Sequence, residues 1–186
     1  SVIPFLFGWY LMYRSLEIGY WLTLILAVPT AGFMVRCFII FHDCCHGSFF
    51  KDIKANDKLG LVMGVLVMTP YYYWKHEHAI HHATAGDLDR RGTGDVYTMT
   101  VEEYLAAPWY KKAGYRIMRT PWILFTVGAV IVFGVTHRFW TPGSGKRERS
   151  SVIWTDLAVF AIITWLVLEV GWAAFLMVQL PIMLIA

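Results

Sequence analysis

The sequence predicts an all-α, multi-pass integral membrane protein with a histidine-rich, metal-binding face on the cytoplasmic side. Three observations carry this. Apolar residues make up 58% of the 186 positions, and they come in long blocks instead of the short runs of a soluble domain. Six of the seven histidines fall between positions 42 and 82. Nearly all Lys and Arg lie within 51–75, 90–119 and 138–149, whereas the connection around Arg14–Glu17 holds a single Arg. By the positive-inside rule the histidine-bearing face is then cytoplasmic. Because these charges flank apolar spans, a nucleic-acid surface is the poorer reading.

The elements follow in order. Val2–Tyr13 reads as the outer end of a first span, with Trp9, Tyr10 and Tyr13 as an interface belt. Ile18–Phe41 is long enough to cross, since ~20 residues cover the ~30 Å apolar layer. Pro29 and Gly32 within it suggest a kink or a close helix approach. A polar link, Lys51–Lys58, offers Asn56 or Asp57 as an N-cap. Leu59–Met68 is too short to cross, and two boxes sharing one site require an even number of crossings between them, so this segment dips in and returns. Thr69-Pro70 gives an N-cap and an N1 proline for a helix that Gly86 stops, with Tyr71–Trp74 at the membrane surface. Gly86–Asp95 is a charged loop without a phosphate-binding glycine pattern. Thr100-x-x-Glu103 is a capping box opening a short helix that Pro108 limits. Arg119–Val135, bracketed by basic runs, reads as another segment that enters and returns. Ile153–Leu168 rises, Glu169–Trp172 turns, and Ala173–Ala186 descends. The whole, 1–186, reads as one membrane domain, and its apolar beginning and end suggest that both ends are cut.

The chemistry sits in two boxes. His42 and His46 stand in HDCCH, and His78, His81 and His82 in HAIHH. On a helix an i,i+4 pair is rotated by only ~40°, so His42 and His46 point the same way; His82 and His81 lie ~40° and ~60° to either side of His78. His76 falls on the opposite side and Glu77 well off this face. Imidazole suits Zn, Cu, Fe and Ni alike. A zinc protease needs H-E-x-x-H, but Ile80 stands where the second His should be. The soluble di-iron pattern Glu-x-x-His fails at the same residue. Five imidazoles exceed what one tetrahedral zinc takes, which favours a two-metal site. Cys37, Cys44 and Cys45 contain no C-x-x-C spacing and read as small apolar fillers.

HDCCHGSF (His42–Phe49) and EHAIHHATAGDLDRRG (Glu77–Gly92) resemble the first two histidine boxes of the membrane fatty acid desaturases, most closely the bacterial acyl-lipid branch related to the Δ12 and ω3 enzymes. The resemblance implies metal ligation by His42, His46, His78, His81 and His82, with two non-haem iron ions and O2 as co-substrate. The implied reaction is O2-dependent dehydrogenation of an acyl chain to a cis double bond, with electrons from a ferredoxin- or cytochrome b5-like donor. It also implies a bacterial inner-membrane location, with membrane lipid around the chain. The family's third box, of H-x-x-H-H type, is absent. His137 stands alone and reads as an interfacial histidine beside Arg138. The third box is expected beyond Ala186, and the piece alone is expected to be inactive. Asp43, Asp87 and Asp89 are candidate acceptors for an imidazole N–H, against the plainer reading of solvated acids. Arg36, about 9 Å inside the membrane from His42 by helix rise, is a candidate for ordering the metal face or a lipid head group. Hydroxylation or carotenoid ketolation at the same site is the nearest rival. A membrane haem or metal-transport protein is the rival of another class.

Overall fold

In the computed structural model, which describes residues 1–92, 94 and 96–186 and, of Ala129, the backbone alone, every regular element is helical. Among the described residues nine α-helices follow one another: α1 Val2–Ser15, α2 Tyr20–His46, α3 Ile53–Leu66, α4 Tyr71–Thr84, α5 Val101–Ala106, α6 Trp109–Met118, α7 Gly128–Gly134, α8 Lys146–Val170 and α9 Trp172–Ile185. Thr93 and Asp95, both in the expected charged loop, lie outside the described residues. Among the described residues two helices, α2 and α8, are long and apolar enough to cross a membrane. A third crossing results if α6 and Ile123–Arg138, bent by 68°, form one span.

The 27-residue α2 is the axis of the molecule and packs against α1, α3, α4 and α9. It runs unbroken through Pro29 and carries the first histidine box on its last turns, so the imidazoles ride on this long apolar helix itself. Gly47, at φ +68°, ends it in the left-handed conformation that glycine adopts without a Cβ penalty. The close approach expected at Gly32 lies elsewhere: nothing stands within 4 Å of a Cβ added there, whereas one at Gly8 would meet Thr30 Oγ1 at 2.5 Å. Small residues thus let α1 and α2 touch, with Gly8 as the contact. Cys37, Cys44 and Cys45 are buried free thiols in this core, as fillers should be.

Helices α3 and α4 form an antiparallel hairpin. Each has 14 residues, about 21 Å at helical rise, too short to cross. The turn between them contains Met68 at φ +52°. The N-cap of α3 is Asp52, whose carboxylate accepts from Lys54 N at 3.0 Å; Asn56 and Asp57 are already inside the helix. Asn56 is buried because its amide closes the preceding loop, donating to Phe50 O and accepting from Phe50 N. The residue before α4 is Pro70, one position later than the expected Thr69 cap. Tyr71 and Tyr73 are buried in the packed interior, away from the membrane surface expected for them. Gly60 and Gly64 make the hairpin tight: a Cβ at Gly60 would lie 2.1 Å from the Tyr71 ring, and one at Gly64 2.5 Å from Thr69 O.

Asp57 ties three helices together. It accepts from Tyr71 Oη and Lys75 Nζ of α4, each at 2.9 Å, and lies 3.4 Å from Arg147 of α8. Burial works to raise its pKa, but the Lys75 and Tyr71 hydrogen bonds and the two cations outweigh it and hold the carboxyl below its ordinary range. The second short apolar segment, Ile123–Arg138, is a helical run that starts with a π-helical stretch at Ile123–Val127. His137 is half-buried with Nδ1 3.4 Å from Thr69 Oγ1, packed on the α3–α4 turn and against Phe133. Its neighbour Arg138 donates to Met68 O and to Asp156 of α8. The capping box forms as read: Thr100 Oγ1 accepts from Glu103 N at 3.1 Å, and Glu103 accepts from Thr100 N at 2.8 Å. The amphipathic α6 after it had no counterpart in the sequence reading.

Two predictions follow from this packing. Gly64→Ala should lower the melting temperature of the purified protein, costing about 1–3 kcal/mol as backbone is forced apart. Gly32→Ala should leave it unchanged or raise it by up to about 1 kcal/mol through helix propensity. Asp57→Asn should lose about 1–3 kcal/mol at neutral pH. The sign with pH is fixed by the depressed carboxylate: its contribution is complete above the unfolded value of 3.8 and disappears as pH falls through the lower folded value. The wild type's advantage over Asp57→Asn in melting temperature should therefore hold from pH 8 to 5 and vanish below the usual carboxylate range.

Candidate metal centre

The last turns of α2 and the middle of α4 face each other, and four imidazoles meet between them. His42 and His46 come from α2, His78 and His82 from α4. The Nε2 atoms lie 3.2 Å apart for His42 and His46, 3.1 Å for His46 and His78, 3.0 Å for His42 and His78, and 3.1 Å for His78 and His82. All four fall within 4.8 Å of one another. At a metal–nitrogen distance of about 2.1 Å, ligands at right angles lie about 3.0 Å apart and tetrahedral ones about 3.4 Å. The spacing of the His42, His46 and His78 nitrogens therefore suits ligand atoms around a single ion, with His82 Nε2 3.1 Å from His78 Nε2. Four neutral imidazoles presenting lone pairs at this distance have no other way to satisfy each other than shared protons. The donor set fits a borderline transition ion such as iron.

Burial and the neighbouring imidazoles push His78 down to about 4. It is therefore neutral at physiological pH, the form that ligates. His42 and His78 are half-buried, while His46 and His82 are exposed, so one side of the cluster is open. An aromatic wall backs the other side. Trp74 stacks on His78 at 4.1 Å between centroids and meets His42 at 5.9 Å. It also meets Phe38 and Phe41 of α2. Trp74 was missed as a site residue, although the helical arithmetic that aligned the histidines puts it one turn before His78 on the same face.

The remaining candidates fall in different places. His81 lies outside the quartet among the described residues; its ring is nearly parallel to that of His78 at 5.9 Å, and its Cβ faces Gly94. Asp43 Oδ1 is 3.4 Å from His42 Nδ1, the ring nitrogen turned away from the cluster. Asp87 serves its own loop, accepting from Asp89 N at 3.0 Å and Arg90 Nε at 2.7 Å, and the Asp89 side chain is exposed. Arg36 is exposed and donates to Ser1 Oγ at 3.3 Å, apart from the histidines. His76 and Glu77 stand outside the cluster, as the helix geometry requires.

The sequence profile of the fatty acid desaturases matches residues 19–186, which include both boxes and both long helices. The chain belongs to the fatty acid desaturase family. It is 50% identical to a fatty acid desaturase of Bacillus subtilis (strain 168) over all 186 residues, 53% of that protein's length. It is 33% identical over 75 residues to an sn-1 acyl-lipid omega-3 desaturase (ferredoxin) of Synechocystis, covering 40% of this chain and 20% of the relative. It is 26% identical over 141 residues to an oleoyl-12-hydroxylase of Ricinus communis, covering 66% of this chain and 34% of the relative. No solved structure matches it significantly. The chain thus spans about half the length of the first of these relatives, or less of the others. The chain carries a histidine cluster able to hold a metal, on a scaffold that is all-helical among the described residues.

Single alanine substitutions at His42, His46, His78 and His82 should each weaken metal binding by more than the 10–100-fold typical of outer-shell changes. His76→Ala should not. Titration of the metal-free protein with Co(II), with metal content measured alongside, checks both.

Proposed function

We propose that this chain carries the histidine-ligated metal site of an O2-dependent fatty acyl desaturase acting on membrane lipid. The observation that supports it most is the convergence of four Nε2 atoms from two helices in a member of this family. His42, His46, His78 and His82 supply this chain's ligands to one iron, with His81 directed to a second. Asp43 holds the Nδ1–H of His42, which leaves Nε2 free to ligate. The chain crosses the membrane several times in a bacterial inner membrane, with the boxes on the cytoplasmic face where the basic segments gather.

The irons, when bound, supply O2 activation. The chain's own residues do the positioning. Two hydrogens leave adjacent methylenes of the acyl chain, two electrons and two protons come from outside, and O2 leaves as two waters. Trp74, Phe38 and Phe41 form a dry aromatic wall behind the histidines. Beyond Phe38 lies an apolar recess of about 190 Å³ lined by Met34, Val35, Phe38, Val67, Met68 and Phe133 among others. Such a recess orients a methylene chain without polar contacts, and orientation decides which carbons react. The electron donor is a ferredoxin- or cytochrome b5-like protein, in line with the name of the Synechocystis relative. The hydroxylase among the relatives supports a second reading, in which the same site inserts oxygen.

Expression of the gene in a host lacking the relevant unsaturation should yield a new cis-monounsaturated or polyunsaturated acyl chain in its lipids, seen by gas chromatography and mass spectrometry. Under 18O2 the desaturated product carries no label. A labelled hydroxyl on the acyl chain would replace desaturation with hydroxylation, and an unchanged profile with the donor present would sink both.

A further inference from the structure

We propose that Tyr71, supported by Asp57 and Lys75, is a positioning unit that sets the spacing of the two histidine helices, and through it the affinity and ligand field of the metal site. The inference rests on the metal-centre reading above. Its starting point is a stripe on α4: Tyr71, Lys75, His78 and His82 follow at intervals of four, three and four residues, which places anchor and ligands on one face.

Tyr71 is fully buried. Its ring is held edge-on to Phe41 of α2, with centroids 5.8 Å apart, and on its other side against Gly60 of α3, where no Cβ fits. The phenol oxygen lies 2.9 Å from Cys44 O and 2.9 Å from Asp57 Oδ1. One phenolic proton serves one acceptor at a time. Lys75 Nζ, at 2.9 Å, and Arg147, at 3.4 Å, compensate the Asp57 charge, so the phenol donates to Cys44 O in alternation with Asp57. Lys75 also donates to the phenol oxygen at 3.3 Å, so the hydroxyl is fixed from behind. Burial above all, with Asp57 beside it, pushes the phenol well above its ordinary pKa, so it remains a donor.

The acceptor explains the consequence. Cys44 O lies in the last turn of α2, where carbonyls have no helical N–H to receive. Cys44 O also accepts from Gly47 N at 3.1 Å, and His46 is two residues away. The Tyr71 hydroxyl therefore pins the turn that carries His46 to the helix that carries His78, two turns or about 10 Å further along α4. A metal site tolerates about 0.5 Å of ligand displacement, so a fraying last turn acts directly on the His46 separations.

The test is Co(II) titration of the intact protein in nanodiscs, with absorption spectra of the loaded site and melting of the metal-free form. Tyr71→Phe keeps the ring and removes only the hydroxyl. It should raise the Co(II) dissociation constant about 10–100-fold, the range for groups that orient ligands, and shift the Co(II) d–d bands. The metal-free protein should melt within a few degrees of wild type. Lys75→Met, which leaves the buried ring in place, should move both readouts in the same direction by less, and it decides the matter if Tyr71→Phe fails to fold. Wild-type affinity and bands in these variants would overturn the positioning role and leave the metal site intact. Absence of Co(II) binding in wild type itself would remove the metal-centre reading and this inference with it.

Discussion

The constraint on which this structure depends is the convergence of four imidazole nitrogens from two different helices, within 4.8 Å of one another and with neighbours 3.0–3.2 Å apart. Without a cation or shared protons, that arrangement brings lone pairs together and is unfavourable. Packing elsewhere must hold it. The holding elements are apolar and close-fitting: Phe38, Phe41, Tyr71 and Trp74 interlock between α2 and α4, with ring centroids 5.2–5.8 Å apart. Fixing ligands on rigid helices, with aromatic side chains behind them, preorganises the site before metal arrives. The strain of collecting the histidines is opposed by burial that does not itself touch the ion.

Much of this is legible from residue spacing. The i,i+4 relation of His42 to His46 and of His78 to His82 is a property of one helix, and local periodicity predicts it correctly. The Thr100–Glu103 capping box is equally local, and it forms as the four-residue pattern requires. Both long apolar runs become helices long enough to cross. The resemblance of the two boxes to desaturases agrees with the family to which the chain belongs.

What sequence alone misplaces depends on contacts between elements. Asp57 is a reasonable N-cap by type, but its partners Lys75 and Arg147 lie 18 and 90 residues away, and those draw it into the helix interior. Asp52 caps instead. Gly32 has the composition of a helix contact, yet which glycine meets a neighbour is decided by the crossing point, and that falls at Gly8. Aromatic residues near a membrane helix end suggest an interface belt, but Tyr71 and Tyr73 are buried, Tyr71 because Gly60 leaves room for its ring. In each case the local preference is genuine and a tertiary contact outweighs it.

The shortness of α3 is what allows one site to be built from two distant boxes. A full span after His46 would deliver the second box to the far side of an apolar layer about 30 Å thick. Instead the chain turns at Met68 and comes back alongside itself. Asp57 lies beside Lys75, Gly60 beside Tyr71 and Gly64 beside Thr69, which is a consistent antiparallel register. Continued along α4, that register carries His78 to the level at which α3 began, a few residues after His46. The matched lengths of α3 and α4, 14 residues each, therefore act as a ruler. Adding one helical turn to either arm alone would move His78 and His82 about 5 Å along the axis relative to α2. That is more than the whole spread of the four nitrogens, so hairpin length constrains the metal centre as tightly as the histidines themselves.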